Sequence, residues 1–219
     1  MDIDLGSPRR IEAQVDEARV ADDLERYARL AIEFGADDAR VIPASSIVID
    51  ERARMKCRVP RCRFWEQAAF CSPSAPSPDE MRIIVAKYRY ALLIKHEVQP
   101  IEDYADRKQS IEKSADHHRS IAKIVGKIET LAQHDGHYFA MGFASGSCKK
   151  LYCPDKPCQA ISAGECRFPL IARPSMEVTG IDAFGLAASV EWDIYHIGLN
   201  KVDPKNVPCA VTLGLVLIS

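Results

Sequence analysis

Residues 90–144 read YALLIKHEVQPIEDYADRKQSIEKSADHHRSIAKIVGKIETLAQHDGHYFAMGFA, and this stretch decides the fold. Residues 90–98 (YALLIKHEV) form a short apolar run of the kind that makes a buried strand. Ile121, Ile124, Val125, Ile128, Leu131 and Ala132 then recur at helical spacing, which predicts a long amphipathic helix over about 106–133 closed by Gly136. Residues 137–144 (HYFAMGFA) read as a further strand. A strand, a crossover-length helix and a second strand are the pattern of a parallel βαβ unit.

The flanks extend the same alternation. Val20, Leu24, Tyr27, Ala28 and Ala31 predict a helix over 20–34 ending at Gly35, and residues 39–50 (ARVIPASSIVID) form a β-branched run. Ser77, Pro78, Asp79 and Glu80 combine a capping serine, a first-turn proline and a reciprocal glutamate, so a helix should run from there to about residue 88. A short helix over 182–192 and a terminal buried strand over 210–218 (AVTLGLVLI) complete the chain. The expected fold is therefore α/β: a single domain over residues 1–219 with a mostly parallel or mixed sheet of about four strands and helices packed on it. Two cysteine-rich loops, at about 56–78 and 145–175, interrupt this pattern.

The 219 residues carry 29 Lys and Arg against 31 Asp and Glu, a net charge of −2, so no global field points to a nucleic-acid or membrane partner. The first ten residues, MDIDLGSPRR, lack the apolar core of a secretory signal, and no apolar run reaches the ~20 residues that span a bilayer. A cytoplasmic protein is expected. In a reducing compartment, clustered cysteines favour metal binding over disulfides.

The eight cysteines are grouped. Cys148, Cys153, Cys158 and Cys166 are interspersed with Pro154, Pro157 and Gly164, which predicts a loop on which four thiolates converge. Four thiolates suit a 4Fe-4S cluster or a tetrahedral zinc ion, and the lack of any Cys-x2-Cys knuckle in this group favours the cluster. Cys57, Cys62 and Cys71 offer three thiolates, so a second cluster there could be completed by the other loop, by a non-cysteine ligand or by an exogenous molecule. Cys209 stands alone before the last strand and is a further candidate for the missing fourth ligand, or else a small buried residue. In a parallel sheet both groups would leave at the carboxyl edge and meet across one crevice, with Cys209 at the opposite edge.

Basic residues crowd both groups. Arg52, Arg54, Lys56, Arg58, Arg61 and Arg63 precede or enclose the first, and Lys149, Lys150, Lys156, Arg167 and Arg173 surround the second. Cations lower a neighbouring thiol's pKa and offset the charge of a thiolate-bound cluster. A zinc scaffold binding nucleic acid or a protein through this arginine-rich loop, with Phe64 and Trp65 for stacking, is the alternative. His117, His118, His134 and His137 are further candidate ligands, and Arg173, Ser175, Glu177 and Asp182 could build a polar shell or pocket.

The runs KCRVPRCRFWEQAAFCSPSAPSPDE, GHYFAMGFASGSC and CRFPLIARPSMEVTGIDAF resemble those of an uncharacterised family of predicted metal-binding, cysteine-rich proteins. The resemblance extends roughly from Leu24 to the C-terminus. It implies metal or iron–sulfur binding through these cysteines and implies no reaction. Together with the residue reading it leads to an iron–sulfur protein with one or two 4Fe-4S clusters on Cys57, Cys62, Cys71, Cys148, Cys153, Cys158 and Cys166. Electron transfer or reductive activation of a redox partner protein would follow, with an open iron at the three-cysteine set.

Overall fold

The computed structural model describes residues 5–12, 15–105, 111–197 and 202–219. Helix α1 (Glu17–Glu33) leads through Gly35, whose φ of 102° is the left-handed turn foreseen at that position, into strand β1 (Asp38–Pro43). Helix α2 (Glu51–Arg58) carries the chain into the first cysteine loop, which ends at helix α3 (Pro78–Val85). Strand β2 (Tyr90–Glu97) and the single turn α4 (Glu102–Ala105) precede the long helix α5 (Ile111–His134), whose expected beginning near 106 lies outside the described residues. Strand β3 (Met141–Phe143) opens into the second cysteine loop, which contains the short helices α6 (Cys148–Tyr152) and α7 (Gln159–Ala163). Helix α8 (Ala183–Ser189) and strand β4 (Val211–Ile218) follow.

The sheet corrects the expected topology. Its order is β1-β2-β4-β3, and all three neighbouring pairs are antiparallel, so it is neither parallel nor mixed. Helix α5 joins β2 to β3 without making them neighbours, because β4 inserts between them and pairs with both. The misleading signal is the lack of hydrophobic alternation in β2 and β4. Continuous apolar strands usually mark parallel sheets covered on both sides, and here an antiparallel sheet is covered on both sides.

Side-chain parity assigns the two faces. Leu92 and Ile94 of β2 and Val216 and Ile218 of β4 pack against Val20, Leu24, Tyr27 and Ala31 of α1 and Ile121, Val125 and Ile128 of α5. The intervening Ala91, Leu93, Leu213, Leu215 and Leu217 face Met81, Val85, Met176, Ile181 and Leu186 on the other side. That second layer is built from the segments flanking the two cysteine loops, so packing ties the loops to the sheet.

Two smaller expectations also shift. Strand β3 is three residues long, shorter than the 137–144 run, because His137 turns inward to bond Asp23 while Tyr138 and Phe139 face solvent. The segment after Cys148, expected as loop, contains two single-turn helices. The capping box at α3 forms as expected: Glu80 N–H donates to Ser77 Oγ (3.2 Å), and Ser77 N–H donates to the Glu80 carboxylate (2.7 Å). No helix among the described residues is long and apolar enough to cross a membrane.

Candidate metal centre

The two cysteine loops meet, by a route other than a shared carboxyl edge. Strands β1 and β3 run in opposite directions, so β1 ends beside Tyr90 while β3 points toward the start of β4. The chain after β1 therefore has to cross the sheet's second face. Asp182 N–H donates to Val48 O (3.0 Å) and Asp50 N–H to Gly180 O (2.7 Å), fixing the crossing segment to the stretch that leaves the second loop through an isolated bridge at Ile49 and Ile181. Asp50 then starts α2, accepting from Arg52 N–H (2.7 Å).

The first loop is stapled by α2. The Arg54 guanidinium donates to the carbonyls of Pro73 (3.1 Å), Ala75 (3.2 Å) and Pro76 (2.5 Å). Glu66 sits in the left-handed region at φ 61°, where its N–H reaches Ser72 O at 2.8 Å and its carboxylate takes Arg61 at 2.8 Å. Cys57, Cys62 and Cys71 line a cavity of about 270 Å³, together with Trp65, His118 and Ser147.

The second loop folds around a lysine. Lys149 Nζ donates to the carbonyls of Cys153 (2.6 Å), Pro154 (3.0 Å) and Lys156 (2.6 Å), and Arg167 donates to Pro157 O (2.6 Å). Cys148, Cys153, Cys158 and Cys166 together line one small space of about 20 Å³. Arg173 ties the loop's end to α5 through an ion pair with Glu129, whose other oxygen accepts Gly142 N–H at 2.8 Å. Among the described residues no three His, Cys, Asp or Glu groups are gathered on a single point as one ion would require.

Cys71 stands at the seam. Its Sγ lies 3.2 Å from Ser147 Oγ, the residue preceding Cys148. Burial raises the Cys71 thiol's pKa, Ser147 opposes this, and Cys62, Cys57 and Cys158 add to the rise. Burial likewise raises that of Cys57, with Cys62 reinforcing it. At Cys148 burial, backed by Cys71 and the three loop partners, pushes the thiol up to about 12. At Cys158 burial is outweighed by backbone N–H donors from Ala69, Ile161 and Ala160 and by Arg167, so its pKa falls. Ala69 belongs to the first loop, making this a second link across the seam. Phe64 N–H on Cys62 Sγ (3.5 Å) and Phe168 N–H on Cys166 Sγ (3.4 Å) are further donors of the kind that tune thiolate ligands.

Several sequence candidates lie elsewhere. Cys209 lines neither cysteine cavity and donates to Asp193 O at 3.4 Å; because β4 is antiparallel to β3, it sits toward the end of the sheet where β3 finishes, not the opposite end expected in a parallel sheet. His137 and Asp23 pair beneath α1 at 3.2 Å, away from the cysteines. His134 ends α5 without reaching either cavity, and His117 bonds Asp103 (3.1 Å) and His96 (3.3 Å). Of the four histidines named from sequence, His118 is the one that lines the three-thiol cavity. Ser175 lines it too, while Asp182 caps α8 through Gly185 N–H at 3.0 Å. Most of the arginines serve carbonyls and carboxylates in place of thiols. Sequence reasoning missed Ser147 and Ala69, whose roles are set by contacts between loops remote in the chain.

The fold and site define a class: a cysteine-rich antiparallel α/β protein in which two loops bring seven thiols to two adjoining cavities. The family model described as "Predicted metal-binding protein (DUF2284)" matches residues 40–218, and the chain belongs to that family. No curated protein and no solved structure matches it.

Proposed function

We propose that this metal-binding protein is an iron–sulfur protein, carrying a 4Fe-4S cluster on Cys148, Cys153, Cys158 and Cys166 and a second on Cys57, Cys62 and Cys71. It would work in electron transfer to, or reductive activation of, a partner protein. One observation carries the reading: four thiols ring one cavity, three ring the next, and Cys71 bonds Ser147 where the two adjoin. A cluster takes one thiolate per iron, so its ligands surround a body, whereas zinc draws four donors to about 2.3 Å of one point. The N–H donors on Cys62, Cys158 and Cys166 are those expected to set a cluster's potential. One-electron chemistry would be the cluster's contribution; the protein's own is to hold the thiols, exclude water and supply these donors.

A second reading, structural zinc on the four-thiol loop, is favoured by the small volume of about 20 Å³, which holds about one water-sized body and which a cluster would have to widen. Quantifying iron, acid-labile sulfide and zinc in protein purified anaerobically decides between them. Iron and sulfide in equal amounts with the broad brown absorbance of such clusters are expected. Stoichiometric zinc without that absorbance overturns the iron–sulfur reading.

A further inference from the structure

We infer that the chain binds a small organic monocarboxylate with an apolar or aromatic body in the cavity beside the Cys57, Cys62 and Cys71 thiols. That cleft has a volume of about 870 Å³, the size of a small-molecule site and far beyond a packing defect. It lies where β3 has ended and β4 begins, with Ser145 and Thr212 in its lining.

Most of its wall is apolar, and its cations stand over aromatic rings. Lys56 Nζ lies 5.4 Å from the centre of the Phe184 ring, and the Arg63 guanidinium lies 4.5 Å from that of Phe64. Neither cation has a carboxylate partner among the described residues, whereas Arg61 on the same wall is paired with Glu66 at 2.8 Å. Glu177 adds one carboxylate to the lining. Apart from the histidines, two uncompensated cations face one carboxylate, and the resulting single positive charge matches a monoanion better than a phosphate dianion. Aromatic rings beneath the cations suit a planar apolar body attached to that anion.

A second set of polar groups is bonded to one another. His118 Nδ1 is 2.7 Å from Ser145 Oγ, Tyr104 Oη is 3.2 Å from His118 Nε2, and the Ser145 and Thr212 hydroxyls bond each other. Cys62, Phe64 and His118 line both this cavity and the three-thiol one, so an occupant of the larger space borders the trio. The binding site stands without any metal. That its occupant meets a metal centre rests on the function proposed above.

Calorimetric titration of the full chain with 2-naphthoate, 2-naphthamide and inorganic phosphate tests the site. One saturable site for naphthoate is expected, with the amide and phosphate weaker by about tenfold or more. Replacing both cations (Lys56→Met with Arg63→Met) should cost naphthoate about tenfold and leave the amide unchanged. Glu177→Gln should tighten naphthoate, a result that needs no folded double variant. Absent naphthoate binding, equal binding of acid and amide, or no tightening by Glu177→Gln overturns the inference. Charge-dependent binding to a chain that proves metal-free would uphold the site while the function proposed above falls. In the metal-loaded chain, a naphthoate-dependent change in visible absorbance supports contact with the trio's centre, and an unchanged spectrum at saturation overturns it.

Discussion

At the scale of single residues, the cysteines differ in position as well as in chemistry. Cys71 is 8% exposed and touches the second loop through Ser147, whereas Cys209 is half-buried and bonded to a backbone carbonyl. Metal binding to thiols displaces their protons, and burial that raises the pKa of Cys57, Cys71 and Cys148 makes that displacement the step a metal must drive. Cys71→Ala is therefore expected to lower bound metal at both loops, since it removes a donor from one and a contact from the other. Cys209→Ala should leave metal per chain unchanged. Elemental analysis of the two variants checks this, and equal metal loss from both would refute the division into seven and one. The grouping of the cysteines into four, three and one was legible from spacing alone, because the cysteines that line one cavity are near in sequence. The Ser147 and Ala69 contacts were not, since nothing in a serine or an alanine announces a partner some 80 residues away.

At the scale of elements, two glycines let the sheet sit against α5. A Cβ built on Gly142 would lie 2.6 Å from Val125 Cγ1, and one on Gly214 would overlap Val125 Cγ2 and come within 3.1 Å of Ile121. Gly214 costs the strand conformational entropy, and close helix packing offsets that cost. Gly214→Ala should destabilise by about 1–3 kcal/mol through overpacking. Adding Val125→Ala should return part of that loss, so the double variant is more stable than the sum of the two single changes allows. Urea denaturation of the four proteins measures the coupling, and additive effects would refute the contact. A second prediction concerns α2 and α3, which bracket the first loop and both begin with carboxylates. Asp50 is held down to about 2 from an ordinary 3.8, first by the Arg52 side chain and then by its backbone N–H, and the Ser77 backbone and hydroxyl lower Glu80. A depressed carboxylate stabilises above its unfolded pKa and ceases to do so as pH falls through its folded pKa. The advantage of wild type over Asp50→Asn in urea midpoint should thus hold at pH 5 and fade between about pH 4 and pH 2. A gap that stays constant across that range would assign Asp50 no such role. The capping box was readable because its signal is local, as was the end of α1 at Gly35.

At the scale of the whole molecule, what sequence could not show was strand direction. Residues 91–94 and 212–218 are buried throughout, and an apolar strand covered on both faces looks alike whether its neighbour runs up or down. Direction is decided by what fills the space between β2 and β3, and that is β4, more than a hundred residues after β2 begins. The same arrangement keeps the cysteine loops out of the core, since neither 59–77 nor 145–175 contributes to the apolar clusters on the two faces. Arg54 and Lys149 each hold one loop together from within, and the loops are fastened to the body of the protein by the Arg173–Glu129 pair on α5 and by the bridge at Ile49 and Ile181 on the other layer. Opening in proteins proceeds by cooperative units, and elements with few buried apolar contacts open first. Removing metal with a chelator should therefore speed hydrogen exchange at the amides of Cys62, Trp65, Cys71, Cys153 and Ile161, which close the loop turns. The amides of β2, β4 and the buried face of α5 should keep their protection, because their partners lie within the sheet and helix. Exchange followed by mass spectrometry before and after chelation distinguishes this from the behaviour of small metal domains that unfold entirely when stripped. Uniform loss of protection across both faces would mean that the thiol centre holds the fold together, and the sheet could then no longer be regarded as the scaffold on which the centre is mounted.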